Sequence, residues 1–160
     1  MNASTLKRPF RATIEASLAG LRQLHEILVD EQQALLGNQP EVLEQIVLQK
    51  TQSLQQLEHS IAAREQILAQ AGLPGGMVGA QQFACEHFED EDLCADAEAL
   101  MTLSGKVRDL NIHNGKLTLA QERTTREALG ILTGRPHDTG TYSRSGSAGR
   151  GLAAYSLGKC

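Results

Sequence analysis

The sequence predicts an all-α protein: an elongated antiparallel bundle of three long helices with a coiled-coil-like hairpin, a short extra helix and a flexible C-terminal tail. Apolar residues recur four and three residues apart along three long segments, which is the spacing of helices that pack against one another. Aromatic residues make up only 3% of the chain and Trp is missing, so Leu, Ile, Val and Ala must supply the core. This composition favours helix-on-helix packing over a sandwich or an α/β sheet.

The first helix is predicted to begin between Arg11 and Thr13 and to end at Gly37. Glycine readily takes the left-handed conformation with which many helices stop. The regular spacing of apolar residues before it predicts one amphipathic helix that buries a single face. The seam of that face alternates four and three positions apart and consists of Ile14, Leu18, Leu21, His25, Leu28, Gln32 and Leu35.

The second helix is predicted over residues 39–71, with Asn38 as its cap, Pro40 in its first turn and Glu41 in the position of a capping box. Gly72 and the glycine- and proline-rich residues after it end the helix. Since only a short turn separates the first two helices, we expect an antiparallel hairpin. The second seam keeps the same rhythm and consists of Leu43, Val47, Lys50, Leu54, Leu57, Ile61, Arg64 and Leu68.

A short helix and a third long helix complete the predicted bundle. Residues 81–88 are expected to form the short helix, which buries Phe83 and Phe88 against the end of the hairpin. The acidic run at 89–92 marks the start of the next helix, because carboxylates are favourable at the positive N-terminal end of a helix. The third long helix is predicted over residues 93–132, with a broad face of Leu93, Ala97, Leu100, Val107, Leu110, Asn114, Leu117, Leu129 and Leu132.

Composition divides the chain into a helical bundle domain, residues 1–133, and a flexible Gly/Ser-rich tail, residues 134–160. The tail holds so few apolar residues that burial cannot offset the cost of ordering it, roughly 1–2 kcal/mol per residue for the backbone. The tail is basic although the whole chain has a net charge of −4, so the bundle domain is acidic. Because an acidic body without a basic stripe repels phosphate, no nucleic acid is expected as a partner.

The cysteines and the hydropathy pattern predict the cellular compartment of the protein. Cys85, Cys94 and Cys160 form no CxxC pair, and their odd number argues against a disulfide framework. A reducing compartment is the simpler interpretation. No stretch approaches the roughly 20 apolar residues of a membrane span, so no membrane insertion is expected. We therefore expect a soluble cytoplasmic protein.

The sequence shows no pattern of residues for enzymatic catalysis and none for a cofactor. Cys85, His87 and Cys94 match no zinc-ligand spacing and lack a fourth ligand, so no metal is expected. His113 offers one alternative, a histidine phosphotransfer module in which an exposed His lies on a helix near a Gly and a Lys. Here the Gly and the Lys stand in the reverse of that family's usual order, and a structural helix explains His113 more simply.

A polar band interrupts the apolar face of the third long helix at Leu110–Leu119, with the sequence LNIHNGKLTL. Asn111 and Asn114 lie about one turn apart, and an Asn on a packing seam sets helix register at a cost in stability. A binding role for these two side chains is equally open. Gly115 costs about 1 kcal/mol relative to Ala inside a helix. We therefore expect a neighbouring helix, of this chain or of a partner, to come close at Gly115.

Three segments carry a resemblance to a known family. An LxxLxxxLxxE segment spans Leu21–Glu31, an LxxIxxxK segment spans Leu43–Lys50, and an NxxNGxL segment spans Asn111–Leu117. Together with a tail that holds an isolated Tyr, they resemble FlgN, the flagellar type III export chaperone for hook–filament junction proteins. The resemblance extends over roughly residues 15–145, and NxxNGxL is its most specific part.

The resemblance implies a bacterial cytoplasmic chaperone without enzymatic activity. Its implied partners are the C-terminal helical segments of hook–filament junction (hook-associated) proteins, whose premature assembly it prevents. Components of the flagellar export gate or ATPase are further implied partners, to which such a chaperone delivers its substrate. The family's C-terminal region docks to the gate, and Tyr142 matches its tail tyrosine.

The physical character of the chain suits this role, because a partner helix can lie along the apolar stripe of a long helix. A generic coiled-coil scaffold shares the predicted fold and differs only in its partner. The sequence leaves open whether the molecule is a monomer or a homodimer. The candidate substrate-protein surface combines the end of the third long helix with the tail and consists of Leu117, Leu129, Ile131, Leu132, Leu152 and Tyr155.

Overall fold

The computed structural model describes residues 3–88 and 90–133, and these residues form helices joined by short turns, without a β-strand among them. The all-α class and the order of three long helices with one short helical segment are thereby confirmed. The elements are α1 (Ala3–Leu36), α2 (Pro40–Gln70), α3 (Gly76–Gln82), a π-helical turn (Phe83–His87) and α4 (Glu91–Leu132).

The chain divides into two compact units, Met1–Thr118 and Leu119–Cys160, and the division falls inside α4. The first unit contains the main apolar core, which draws on all the helical elements before residue 119. The described part of the second unit, residues 119–133, is helical up to Leu132. The predicted tail, residues 134–160, lies outside the described residues.

The first helix begins at Ala3, well before the predicted start between Arg11 and Thr13, so that prediction was wrong. Leu6 and Phe10 are buried in the core, and burying such a side chain contributes about 1.5–3 kcal/mol. Together they offset the cost of Pro9 inside the helix, about 3 kcal/mol. Tertiary burial therefore extends α1 through a residue that ordinarily ends helices.

In the turn between α1 and α2, the left-handed residue is Asn38, and not Gly37 as the sequence had predicted. Asn38 has a φ of 49°, whereas Gly37 is not left-handed. The Asn38 N–H donates to the Leu35 carbonyl oxygen at 3.1 Å, and the Gln39 N–H donates to that of Ala34 at 3.0 Å. This pair of bonds closes α1 around a left-handed residue, which Asn tolerates better than most side chains. Asn38 thus ends α1, and the predicted cap on α2 was wrong.

At the start of α2, the buried residue lies one position before the predicted one. Val47 was predicted to lie on the seam, but it is 54% exposed, and Ile46 is buried instead. Further along, Gly20 leaves room for a side chain of α2, because Leu57 Cδ1 lies only 3.3 Å from where a Cβ on Gly20 would be. The buried residues of α2 are Ile46, Ser53, Leu57, Arg64, Ile67 and Leu68.

The predicted helix end at Gly72 is confirmed. Gly72 has a φ of 72°, and the following Leu73 N–H donates to the Leu68 carbonyl oxygen at 3.0 Å. The chain then re-enters a helix at Gly76, because the Glu65 carboxylate accepts the Gly76 N–H with both oxygens, at 3.1 and 2.9 Å. The short helical segment therefore starts earlier than the predicted residues 81–88.

The short segment buries aromatic side chains, as predicted. Phe83 is fully buried and Phe88 is half-buried. The Phe83 ring lies 4.9 Å from that of Phe10 in an edge-on arrangement, and 4.4 Å from that of Phe88. The three aromatic rings join the start of α1 to the π-helical turn.

Asp90 is the N-cap of α4, which confirms that the acidic run marks the start of this helix. Its Oδ1 accepts the Leu93 N–H at 3.0 Å, and its Oδ2 pairs with Lys7 Nζ at 2.8 Å and Arg11 Nη2 at 2.7 Å. The Lys7 ammonium and the Leu93 N–H hold the pKa of the Asp90 carboxyl well below its ordinary value of 3.8. The Arg11 guanidinium acts in the same direction.

Cys85 and Cys94 form a disulfide, so the expectation of free thiols was wrong for this pair. The odd number of cysteines excluded a fully paired set, but it did not exclude one bond. The turn at Asp90 folds the π-helical turn back on the start of α4, which brings the two Cα atoms to 4.8 Å. Cysteine Cα atoms are commonly bridged at this separation.

Among the described residues, no helix combines the length and the apolar character needed to cross a lipid bilayer. The long helices each carry charged residues at regular intervals, as expected for helices with one buried and one solvated face.

We predict that Asp90→Asn lowers the melting temperature at pH 7 and that this difference shrinks in acid. Because the pKa of Asp90 is lower in the folded than in the unfolded chain, its charge stabilises the fold at pH values above its ordinary pKa of 3.8. As the pH falls below about 5, the unfolded chain takes up the proton first and this contribution is lost. Circular dichroism melts of both proteins between pH 7 and about pH 3 measure the effect.

Glu91→Gln is the matched control, since it removes one charge from the same turn at an exposed position. It is expected to change the melting temperature little. Asparagine can still cap the helix. If Asp90→Asn lowers the melting temperature by the same amount at every pH, the charge of Asp90 has no role in stability.

Candidate functional site

The best-defined polar arrangement in the first unit lies where α4 meets α1. The Asn114 side chain is 1% exposed, and its Nδ2 donates to the Leu28 carbonyl oxygen at 2.7 Å and to Glu31 Oε2 at 2.8 Å. Since both partners are acceptors, the amide nitrogen must face them. We call Asn114, Glu31 and Lys50 the polar clamp.

Lys50 brings α2 into the polar clamp. Its Nζ lies 3.0 Å from both oxygens of Glu31, and the two side chains are only 22% and 13% exposed. An ion pair that is partly shielded from water is less screened than an exposed pair, which contributes about 0–1 kcal/mol. One carboxylate on α1 therefore binds a cation from α2 and an amide from α4.

The local sequence explains why a polar group lies at this place. Asn114 occupies a core position of α4, seven residues after the buried Val107, so the helix directs its side chain inward. A buried Asn requires partners, and the Leu28 carbonyl and Glu31 provide them. Its Oδ1 is buried without a partner in the described part of the chain. The geometry fits the predicted role of Asn114 in setting helix register.

The other residues of the predicted polar band are less buried. Asn111 is half-buried, and His113 is exposed on α4. Gly115 is exposed as well, and a Cβ built on it meets nothing within 4 Å. No helix of the described chain therefore packs closely on Gly115, contrary to one of the two expectations for it. The other expectation, a partner's helix at this position, stays a prediction.

The predicted apolar surface is exposed where the structure describes it in the second unit. Leu129, Ile131 and Leu132 are 55%, 73% and 82% exposed. Leu117, in the first unit, is half-buried. Leu119, which was not predicted to belong to this surface, is 66% exposed and begins the second unit. The predicted tail residues, Tyr142, Leu152 and Tyr155, lie outside the described residues.

Comparison with known proteins decides the family. The sequence profile of the FlgN protein family matches residues 9–150, which is most of the chain. This protein belongs to the FlgN family. No curated protein matches the chain.

A solved structure agrees with this assignment. The crystal structure of a protein described as the flagella synthesis protein FlgN of Pseudomonas aeruginosa is 30% identical in sequence to this chain. The match covers 82% of this chain and 98% of that one, with a TM-score of 0.59. FlgN is a flagellar family of chaperone type and not a family of enzymes, so this chain functions in connection with the flagellum.

The three segments that carry the FlgN resemblance meet in the polar clamp. Leu21–Glu31 ends in the carboxylate, Leu43–Lys50 ends in the cation, and Asn111–Leu117 contains the buried amide. One polar residue of each segment, Glu31, Lys50 or Asn114, thus contacts another across α1, α2 and α4. These contacts fit a role in holding the bundle together.

We predict that Asn114→Ala lowers the free energy of unfolding by about 1–3 kcal/mol, because it removes the donor to two buried or partly buried acceptors. Urea unfolding followed by circular dichroism measures the change. Asn111→Ala is the matched control, since it makes the same substitution at a half-buried position of the same helix.

Both substitutions gain the same helix propensity, so their difference isolates the polar clamp. If the two variants have the same free energy of unfolding, the hydrogen bonds of Asn114 do not stabilise the folded protein, and the prediction is wrong.

Proposed function

We propose that this FlgN-family protein is a cytoplasmic export chaperone for hook–filament junction subunits. It binds their C-terminal helical segments, prevents their premature assembly and delivers them to the flagellar type III export apparatus. Membership of the FlgN family supports this role. The observation that carries it is the row of exposed apolar side chains at the end of α4, at Leu129, Ile131 and Leu132.

The exposed apolar side chains at the end of α4 are suited to binding a helix of a partner protein. Single exposed apolar residues are ordinary on protein surfaces, but a cluster of large ones marks an interaction site. Leu129 and Leu132 are three residues apart and therefore share one side of the helix. An amphipathic helix of a partner can cover that side with its own apolar residues.

The magnitudes suit a chaperone that must release what it binds. Leu129 and Leu132 together contribute about 3–6 kcal/mol when they are fully buried. Loss of rotational and translational freedom opposes binding by at least about 4 kcal/mol, and ordering of a flexible segment opposes it by a further 2–5 kcal/mol. Since these costs equal or exceed the gain from the two side chains, the other residues of the proposed surface must supply the net affinity, which is then modest.

The tail completes the proposed surface. We assign Leu152 and Tyr155 to the substrate-protein site, together with Leu117 at its start, and Tyr142 to docking at the export gate. These assignments rest on the FlgN resemblance and on the composition of the tail.

We predict that the double substitution Leu129→Ser, Leu132→Ser weakens binding of a C-terminal helical segment from a hook–filament junction protein by at least about tenfold. The reason is that each lost apolar contact contributes on the order of 1 kcal/mol or more at the interface. Isothermal titration calorimetry with the purified segment measures the dissociation constant. The melting temperature should change little, because both side chains are exposed in the free protein.

Val47→Ser, Leu48→Ser is the matched control. These α2 side chains are 54% and 66% exposed but are not assigned to the surface. Equal losses of affinity in the two double variants would refute a specific site at the end of α4.

We predict that deletion of residues 134–160 leaves the helical content nearly unchanged while affinity for the same segment falls. The three long helices lie before the deletion, so circular dichroism should retain the helical signal of the full chain. Calorimetry of the shortened protein tests the role of the tail, and a dissociation constant equal to that of the full chain would overturn it.

A further inference from the structure

One cluster of reactive side chains has no role in the polar clamp or in the α4 surface. The Sγ atoms of Cys85 and Cys94 and a carboxylate oxygen of Glu98 all lie within 4.8 Å of one another. Cys85 belongs to the π-helical turn, whereas Cys94 and Glu98 are one turn apart on α4. These side chains line one open cleft from two elements.

We propose that Cys85, Cys94 and Glu98 form a redox-controlled binding site for one thiophilic divalent cation, with Zn²⁺ as the reference ion. In the oxidised form seen in the structure, the two sulfur atoms are bonded to each other and are not available as thiolates. In the dithiol form, the two thiolates and the carboxylate supply three ligands, and a water molecule completes a tetrahedron.

The two forms interconvert by thiol–disulfide exchange. A small-molecule dithiol transfers two electrons and two protons to the Cys85–Cys94 bond, which becomes two thiols while the reductant becomes a disulfide. The cation then binds as the two thiol protons leave. In the reverse direction, a small-molecule disulfide accepts two electrons from the two cysteine thiolates and two protons from water and becomes two thiols, the Cys85–Cys94 bond forms again, and the cation is released.

Contacts other than the disulfide hold the two cysteines side by side. Next to Cys85, the fully buried Phe83 packs on Phe10 with their ring centroids 4.9 Å apart. Next to Cys94, Asp90 accepts the Leu93 N–H with its side chain and the Cys94 N–H with its carbonyl oxygen, at 3.0 and 2.9 Å. Reduction therefore leaves both backbones anchored, and the freed thiols remain neighbours.

The spacing of the three ligand atoms suits a tetrahedral ion. Ligand atoms about 2.0–2.3 Å from Zn²⁺ lie about 3.3–3.8 Å from one another. The donors of the cluster lie within 4.8 Å of one another, and after reduction, rotation of the side chains can separate the two sulfur atoms to that distance.

The cleft is accessible to reductants and favourable to a cation. Both cysteines are half-buried and Glu98 is exposed, so small molecules reach all three groups. None of the described residues that line the cleft is cationic, and the carboxylate of Glu98 gives the site a negative charge. The local charge therefore attracts a divalent ion.

The site is tested by cobalt titration of the full chain. The background variant is Cys160→Ser, which leaves only Cys85 and Cys94 as thiols. After reduction and anaerobic removal of the reductant, Co²⁺ should bind in a one-to-one ratio with a thiolate-to-cobalt charge-transfer band that Zn²⁺ abolishes. The oxidised protein should show no band. Absence of the band from reduced protein, or equal cobalt affinity in both forms, overturns the proposal.

Single substitutions in this background assign the ligands. Cys94→Ser should weaken metal binding at least about a hundredfold and Glu98→Gln about tenfold, by comparison with the 10–100-fold losses that even outer-shell changes cause. Glu86→Gln is the matched control in the same cleft and should leave the affinity within about twofold. Glu98 is exposed, so its variant keeps the test valid where Cys94→Ser impairs folding. Equal effects of Glu86→Gln and Glu98→Gln overturn the assignment.

Discussion

The carboxylate of Glu31 is the one polar group of the polar clamp that joins all three long helices. It lies on α1, pairs with Lys50 of α2 and accepts the buried amide of Asn114 on α4. Leucine-rich helical faces pack acceptably in more than one register, but a shielded charge does not tolerate the loss of its partners. A slide of one helix by one turn, about 5.4 Å, would remove a partner. We therefore infer that the polar clamp favours one alignment among those that apolar packing alone would permit.

A second set of contacts, earlier along α1, holds the bundle by different means. Phe10 packs on the aromatic rings of the π-helical turn, and Lys7 and Arg11 pair with Asp90 at the start of α4. Apolar burial supplies most of the stability there, whereas the charges fix where α4 begins. The disulfide closes the same turn in addition to these contacts.

Stability and the proposed recognition are carried by different residues. The residues that hold the bundle together are buried or half-buried in the first unit, whereas Leu129, Ile131 and Leu132 are exposed in the second. Changes at the exposed positions are therefore expected to alter binding without unfolding the protein, and changes in the polar clamp are expected to lower stability without altering the binding surface. This division suits a chaperone, because its binding surface must stay uncovered while its body remains folded.

The sequence by itself determined the local structure. The recurrence of apolar residues predicted three long helices, Gly72 predicted the end of α2, and the acidic run predicted the start of α4, because each acts through neighbours a few residues away. Only the tertiary structure decided which face of α2 turns inward, how far α1 extends past Pro9, and that Cys85 bonds to Cys94. It also decided that Asn114 meets Glu31, a residue 83 positions away. Such contacts depend on how helices approach one another. The spacing of residues along one helix does not predict which residues of another helix they contact.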